Sequence, residues 1–301
     1  MKIDAHMHVH AEHFAECLKT MDQNGVESII NARTLTPGED AVPIILESER
    51  VTGGRIATLS YFDFRRIEQP GYMDSVVEQF RREVEVGAKG LKIAKSLGLR
   101  QKHKDGSWIR VDDERLGPLF AAAGELDVAV IIHTADPIVC WTAEHKDKSR
   151  IWLGDGKHFG RLDLLEQRER VLERHPETTF VNAHWGCYPE DLDHLVRLFE
   201  TYPNFYVDTE PSKIELTPLG AEHTSRRDIL VKYADRTLYG TDLALWPGKP
   251  VDHPWNRDLY DRHAKYFETS GPNDYSDEGM ALPEDVLGKI YYGTAKRVWK
   301  L

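Results

Sequence analysis

Apolar positions along the chain alternate between two periods. Short runs rich in β-branched residues recur, and between them lie stretches whose apolar residues return every three to four positions. The runs predict eight strands: Lys2–His6, Glu27–Ala32, Arg55–Tyr61, Gly90–Ala94, Val128–Thr134, Thr179–Ala183, Asn204–Asp208 and Thr237–Gly240. Several are almost wholly apolar, such as VAVIIHT, as suits strands buried on both faces of a parallel sheet. Helices are predicted over Tyr72–Val86, where Met73, Val76, Val77, Phe80 and Val84 form one stripe, and over Leu162–Arg174, Leu192–Tyr202 and Leu282–Val298. Pro189 is read as opening the third of these. Eight strand–helix alternations in 301 residues predict an α/β fold, a (β/α)8 TIM barrel occupying residues 1–301 as a single domain. An open doubly wound sheet is the alternative, because periodicity does not show closure. No GxGxxG follows a strand, which weakens a dinucleotide-binding reading.

Three connections exceed ordinary loop length: Ser96–Asp113, Pro137–Gly160 and Leu243–Ala281. Each follows a strand, at the barrel face where sites are built. The last is aromatic (Trp246, Trp255, Tyr260, Tyr266, Phe267, Tyr275) and is expected to act as a lid or wall over the site, or as a contact between copies in a homo-oligomer.

The 14 histidines change this picture from fold to chemistry. His6 and His8 end the first strand with i, i+2 spacing, so both rings share one face. His133 ends the fifth strand, His184 the sixth and Asp242 follows the eighth. A single histidine beside an apolar run is usually an ordinary core or rim residue. Four of them and an aspartate at the same end of four strands predict a metal centre, and imidazole with carboxylate suits zinc or another first-row divalent ion such as manganese. There is no GxSxG, HExxH or GxxxxGK[ST] sequence.

Composition narrows the partners. With 39 Lys and Arg against 50 Asp and Glu, the net charge of −11 argues against a nucleic-acid surface. No apolar stretch is long enough to span a membrane, and no signal-peptide pattern opens the chain. Three scattered cysteines (Cys17, Cys140, Cys187) fit a reduced, cytoplasmic setting better than a disulfide framework. Within this acidic chain Arg33, Arg65, Lys95 and Arg100 follow consecutive strands, a placement that suits a small anionic substrate, since guanidinium forks match carboxylates. Trp141, Trp185 and Trp246 are placed to wall an apolar part of it, although core packing explains such residues equally often.

Read in order, IDAHMH (3–8), GAKGLKIAKSLGL (87–99), VIIHTADP (130–137), TTFVNAHWGC (178–187), NFYVDT (204–209), TLYGTDLA (237–244) and KIYYGTAKRVWKL (289–301) resemble the amidohydrolase superfamily. More narrowly they are similar to its second large branch, which includes aminocarboxymuconate-semialdehyde decarboxylase and related hydrolases. The resemblance implies a distorted barrel with one divalent metal, usually zinc. It makes His6, His8, His133 and Asp242 the ligands, with Asp242 also taking a proton from bound water. It makes His184 the acid/base or water-orienting residue. Lys92 and Lys95 lie on the strand where binuclear relatives carry a carboxylated lysine; neither is read as a metal bridge, and Lys92 is read as a barrel-interior ion pair. The motifs are specific to the branch and not to one reaction. Hydrolysis of an amide, ester or lactone, and nonoxidative decarboxylation of an unsaturated or aromatic acid, both fit. A metal-binding barrel without catalysis is disfavoured by the intact set of five residues.

Overall fold

The computed structural model describes all residues except 33–39, 137, 144–151, 211–222, 250, 252–255 and 257. Its strands are β1 (Lys2–Val9), β2 (Val26–Asn31), β3 (Ile56–Thr58), β4 (Ser60–Tyr61), β5 (Gly90–Ile93), β6 (Ala129–Ile132), β7 (Phe180–Asn182), β8 (Phe205–Asp208), β9 (Thr237–Leu238) and β10 (Leu243–Leu245). All pair in parallel, in two runs, β10-β1-β2-β3 and β4-β5-β6-β7-β8-β9. Backbone hydrogen bonds join the runs at both ends. β3 and β4 are one strand interrupted at Leu59, whose N–H donates to the Asn31 carbonyl at 3.0 Å. β9 and β10 are likewise one interrupted strand. The Ala5 N–H donates to the Tyr239 carbonyl at 2.7 Å, and the Asp242 N–H to the His6 carbonyl at 2.8 Å. Counted this way the described residues form eight strands in a ring, and the predicted barrel is the fold. The predicted eighth strand stops short: β10, expected to begin a loop, resumes pairing with β1.

Helices cover the outside: α1 (Phe14–Gln23), α2 (Val42–Thr52), α3 (Tyr72–Val86), α4 (Gly117–Glu125), α5 (Arg161–Arg174), α6 (Leu192–Thr201), α7 (His223–Lys232) and α8 (Leu259–Glu268). Pro189 does not open α6. That helix starts at Leu192, with the Asp191 carboxylate accepting the His194 N–H at 2.8 Å. The C-terminal helical segment, Glu284–Trp299, contains a π turn at Lys289–Gly293. Its Trp299 plugs the lower mouth of the barrel against small lumen residues such as Ala129 and Ala183. Gly90 makes room for it: a Cβ there would sit 2.9 Å from the Trp299 ring and 2.2 Å from the Ala129 carbonyl oxygen. Among the aromatics of 243–281, Tyr260, Tyr266, Phe267 and Tyr275 are buried in the main core. Trp255 lies outside the described residues.

One irregularity in β1 decides what enters the lumen. Ile3 and Ala5 belong to the lumen cluster, whereas Met7 and Val9 pack outward under the helices. The register against β2 slips between Asp4 and Met7, marking a β-bulge. Strict alternation from Ile3 and Ala5 would send His6 and His8 outward; the extra residue reverses them.

Candidate metal centre

The lumen face of β1 meets the turn between β9 and β10 at three donor atoms. His8 Nε2 lies 2.9 Å from Asp242 Oδ1, and His6 Nε2 lies 3.4 Å from the same oxygen. His6 Nδ1 is 2.8 Å from Asp208 Oδ2, so this ring, kept neutral, donates through Nδ1 and presents a lone pair at Nε2. Burial lowers the His6 pKa to about 4, with Lys92 adding to the effect and Asp208 and Asp242 opposing it. Burial also lowers His8, against the hydrogen bond with Asp242. Burial would raise Asp242, but His6 and His8 together hold it well below the ordinary carboxylate range. The set is thus two neutral imidazoles and an ionised carboxylate converging on one point, a donor set that fits a first-row divalent ion. Lys92 Nζ lies 3.1 Å from His6 Nε2 inside the lumen, and burial brings its pKa down to about 8 against the pull of Asp242 and Asp208.

His6, His184 and Asp208 form a second cluster. Here Asp208 serves as the carboxylate behind His6 and also accepts the His184 backbone N–H at 2.9 Å. Burial works to raise Asp208, but the His6 and His184 contacts carry it lower. Gly240 lets the eighth strand pass this close, since a Cβ would meet His6 Cβ at 3.1 Å and Asp208 Cβ at 3.2 Å.

His184 stands on an unusual backbone. His184, Trp185, Gly186 and Cys187 all have positive φ, at 55°, 55°, 71° and 59°. Each non-glycine residue held there costs about 1–2 kcal/mol. Buried guanidinium groups secure the turn: Arg168 donates to the Gly186 carbonyl, Arg161 to the Cys187 carbonyl, and Arg226 to the Pro189 carbonyl at 2.7 Å. The Arg226 guanidinium also stacks 4.6 Å over the Trp185 ring. His184 Nδ1 is 2.9 Å from Glu210 Oε2, a bond that fixes the orientation of the ring. Burial raises the Glu210 pKa against this bond.

His133 is brought beside His184, ring centres 4.4 Å apart, and not into the close donor set of His6, His8 and Asp242. Its Nε2 bonds the Ala135 carbonyl at 3.1 Å, and burial with the nearby His184 pushes its pKa well below the usual value. Trp185 is fully buried, because the left-handed turn swings its indole into the core under Arg226 and off the substrate wall. Trp246 is 46% exposed. Arg65 is exposed and paired with Asp63, and Lys95 is paired with Asp136. Arg100 is exposed without an ion pair among the described residues. Arg33 lies outside them. Sequence reasoning missed Asp208 and Glu210. Their i, i+2 acidic spacing at the end of the seventh predicted strand, the same signal as His6 and His8, was available.

The family model described as Amidohydrolase matches residues 65–301. No curated protein matches the chain in sequence. Solved structures match it over nearly its whole length. The 2,6-dihydroxybenzoate decarboxylase from Rhizobium is 18% identical, with 99% of this chain and 98% of that one covered and a TM-score of 0.61. The dihydroxybenzoic acid decarboxylase from Polaromonas sp. JS666, with bound manganese and the inhibitor 2-nitroresorcinol, is 16% identical over 100% and 97%, with a TM-score of 0.61. A protein assigned as a 2-pyrone-4,6-dicarboxylic acid hydrolase, from Pseudomonas putida, is 13% identical over 99% and 97%, with a TM-score of 0.59.

Proposed function

The chain belongs to the amidohydrolase family, and on that premise we propose that it is a metal-dependent hydrolase of a small, carboxylate-bearing amide, ester or lactone. The observation that carries this reading is the convergence of His6 Nε2, His8 Nε2 and Asp242 Oδ1 beside the His184–Glu210 pair. We assign the ion to the close set His6, His8 and Asp242, with His133, which stands outside that set beside His184, as the proposed further ligand from the fifth strand. Zinc is the proposed metal, and manganese is the alternative because a structural relative contains it. Such an ion, when bound, supplies a Lewis acid and a water whose pKa falls to about 7.

The chain's own groups do the rest. Asp242, ionised at neutral pH, accepts a proton at its carboxylate. Glu210 fixes the His184 ring through Nδ1, leaving Nε2 to hold the developing negative charge or to hand a proton to the leaving group. Lys95 and Arg100, with Arg65 and Arg33 farther along the same series, are the proposed partners of the substrate carboxylate, and Trp246 is the proposed apolar wall.

A second reading is nonoxidative decarboxylation of an unsaturated or aromatic acid, and the names of two structural relatives favour it. In that case His184 protonates the carbon skeleton as CO2 departs. Product analysis on metal-loaded protein separates the two readings: a new acid with no carbon lost, or CO2 release. Matched neutral and anionic substrates, compared on wild type and on Lys95→Ala and Arg100→Ala, test the carboxylate assignment. Equal efficiency across all pairs refutes it.

A further inference from the structure

Behind the donor atoms, on the outer face of β1, sits a buried carboxylate that accepts four hydrogen bonds from three residues. Asp4 accepts the His6 backbone N–H at 3.2 Å, the Thr241 backbone N–H at 3.1 Å, the Thr241 hydroxyl at 2.6 Å and the Tyr260 hydroxyl at 2.9 Å. The first bond closes the bulge that turns His6 and His8 into the lumen. The next two hold the residue before Asp242, whose own φ is 51°. The fourth reaches α8, in the long connection after the barrel's last strand. Every element that carries a donor of the close set therefore converges on Asp4, on the side of β1 away from the ion. Asp4, Thr241 and Tyr260 are all buried, so water does not replace a deleted partner.

We propose that Asp4, Thr241 and Tyr260 are positioning residues for the metal ligands: Asp4 locks the bulge and the Asp242 turn in mutual register, and Tyr260 ties that register to α8. The inference rests on the metal reading of His6, His8 and Asp242. It makes the packing of α8 a determinant of metal affinity, although α8 supplies no ligand. The bonds act on backbone and hydroxyl groups, so their loss lets the strands keep pairing while the donor atoms drift. A shift of a few tenths of an ångström weakens a coordination shell without unfolding a barrel.

The test is calorimetric titration of Zn2+, and separately Mn2+, into metal-free full-length protein. The set comprises wild type, His8→Ala, Asp4→Asn, Thr241→Val, Tyr260→Phe and Tyr266→Phe. Tyr266 is equally buried on α8 and does not touch Asp4, so it controls for packing. Loss of a partner behind metal ligands typically weakens binding about 10–100-fold, and Asp4→Asn and Thr241→Val are expected in that range. Tyr260→Phe is expected to weaken it several-fold, with Tyr266→Phe unchanged and His8→Ala abolishing the site. The visible spectrum of the Co2+-loaded variants is expected to change with the affinity. If His8→Ala loses the ion while Thr241→Val and Tyr260→Phe bind within twofold of wild type, the positioning role is wrong and the metal centre stands. If His8→Ala binds like wild type, the metal reading fails and the inference falls with it. Should Asp4→Asn fail to fold, the other two variants decide.

Discussion

At the rim of the lumen, the end of β1 and the turn between β9 and β10 are built differently from the end of β7. His6, His8 and Asp242 sit on a bulge and a turn held by carboxylate and hydroxyl groups, Asp4 behind the backbone and Asp208 behind the His6 ring. His184 sits on a left-handed turn held by guanidinium groups from α5 and α7. One region aligns donors that need fixed spacing. The other keeps a histidine in a conformation that the backbone disfavours, and a charge-assisted bond of about 1.5–3 kcal/mol is on the scale of that cost per residue. The two regions meet at Asp208, which bonds both the His6 ring and the His184 N–H, and otherwise rest on separate supports, so damage to the guanidinium clamp is expected to spare the proposed donor set.

The largest break in that contrast comes from His6→Ala. Elemental analysis is expected to fall from about one divalent ion per chain to none, with all turnover lost; unchanged metal content refutes the ligand assignment. His184→Asn comes next. It is expected to keep the ion and lose about 10²–10⁴-fold in turnover, and loss of the ion would merge the two regions into one ligand set. Acid sharpens the comparison from the β1 side. The folded-state pKa of His6 is depressed from 6.5 to about 4, and those of His8 and His133 are also lowered. The unfolded chain therefore binds protons first. The His6 contribution to the stability of the metal-free protein is fully present above pH 6.5 and is lost as pH falls toward 4, on the order of 3 kcal/mol, while Asp4, raised to about 7 by burial, works in the opposite direction over the same window. Histidine-ring NMR across that window checks it, and a His6 ring that protonates near pH 6.5 contradicts the burial of a neutral ring. On the β7 side, Arg168→Met leaves the Gly186 carbonyl without its donor and is expected to cost about 1–3 kcal/mol, read as a lower urea midpoint with metal content intact. The smallest effect belongs to Trp246→Ala, whose exposed side chain is expected to change stability by less than about 0.5 kcal/mol in thermal unfolding.

These supports differ in how they are written into the chain. The strands were legible because a parallel barrel buries both faces, and Val128–Thr134 has no other plausible home. The His-x-His pair, His184 and Asp242 were legible because strand ends concentrate chemistry. The bulge was not, since nothing local in KIDAHMHV marks which residue is extra; that choice belongs to pairing with Val26–Asn31 and to Asp4. Nor was the guanidinium clamp. Arg161 and Arg168 look like solvent-facing residues of an amphipathic helix until the Gly186 and Cys187 carbonyls turn toward them. Trp185 misled for the same reason. A residue after a strand end normally faces the site, but a left-handed turn redirects it.

The ring that joins Ala5 to Tyr239 and His6 to Asp242 also sets an order of events during synthesis. His6 and His8 are translated early in this sequence and Asp242 late, so the contacts of the ligand set are among those of long sequence separation. Such contacts pay their loop-closure entropy last and slow the final step of folding. A nascent chain that has released only its first strands carries two exposed imidazoles and no carboxylate to face them. Full occupancy of the proposed site by an ion would then report completion: it marks a chain whose final strand has been made, threaded beside the first and locked there.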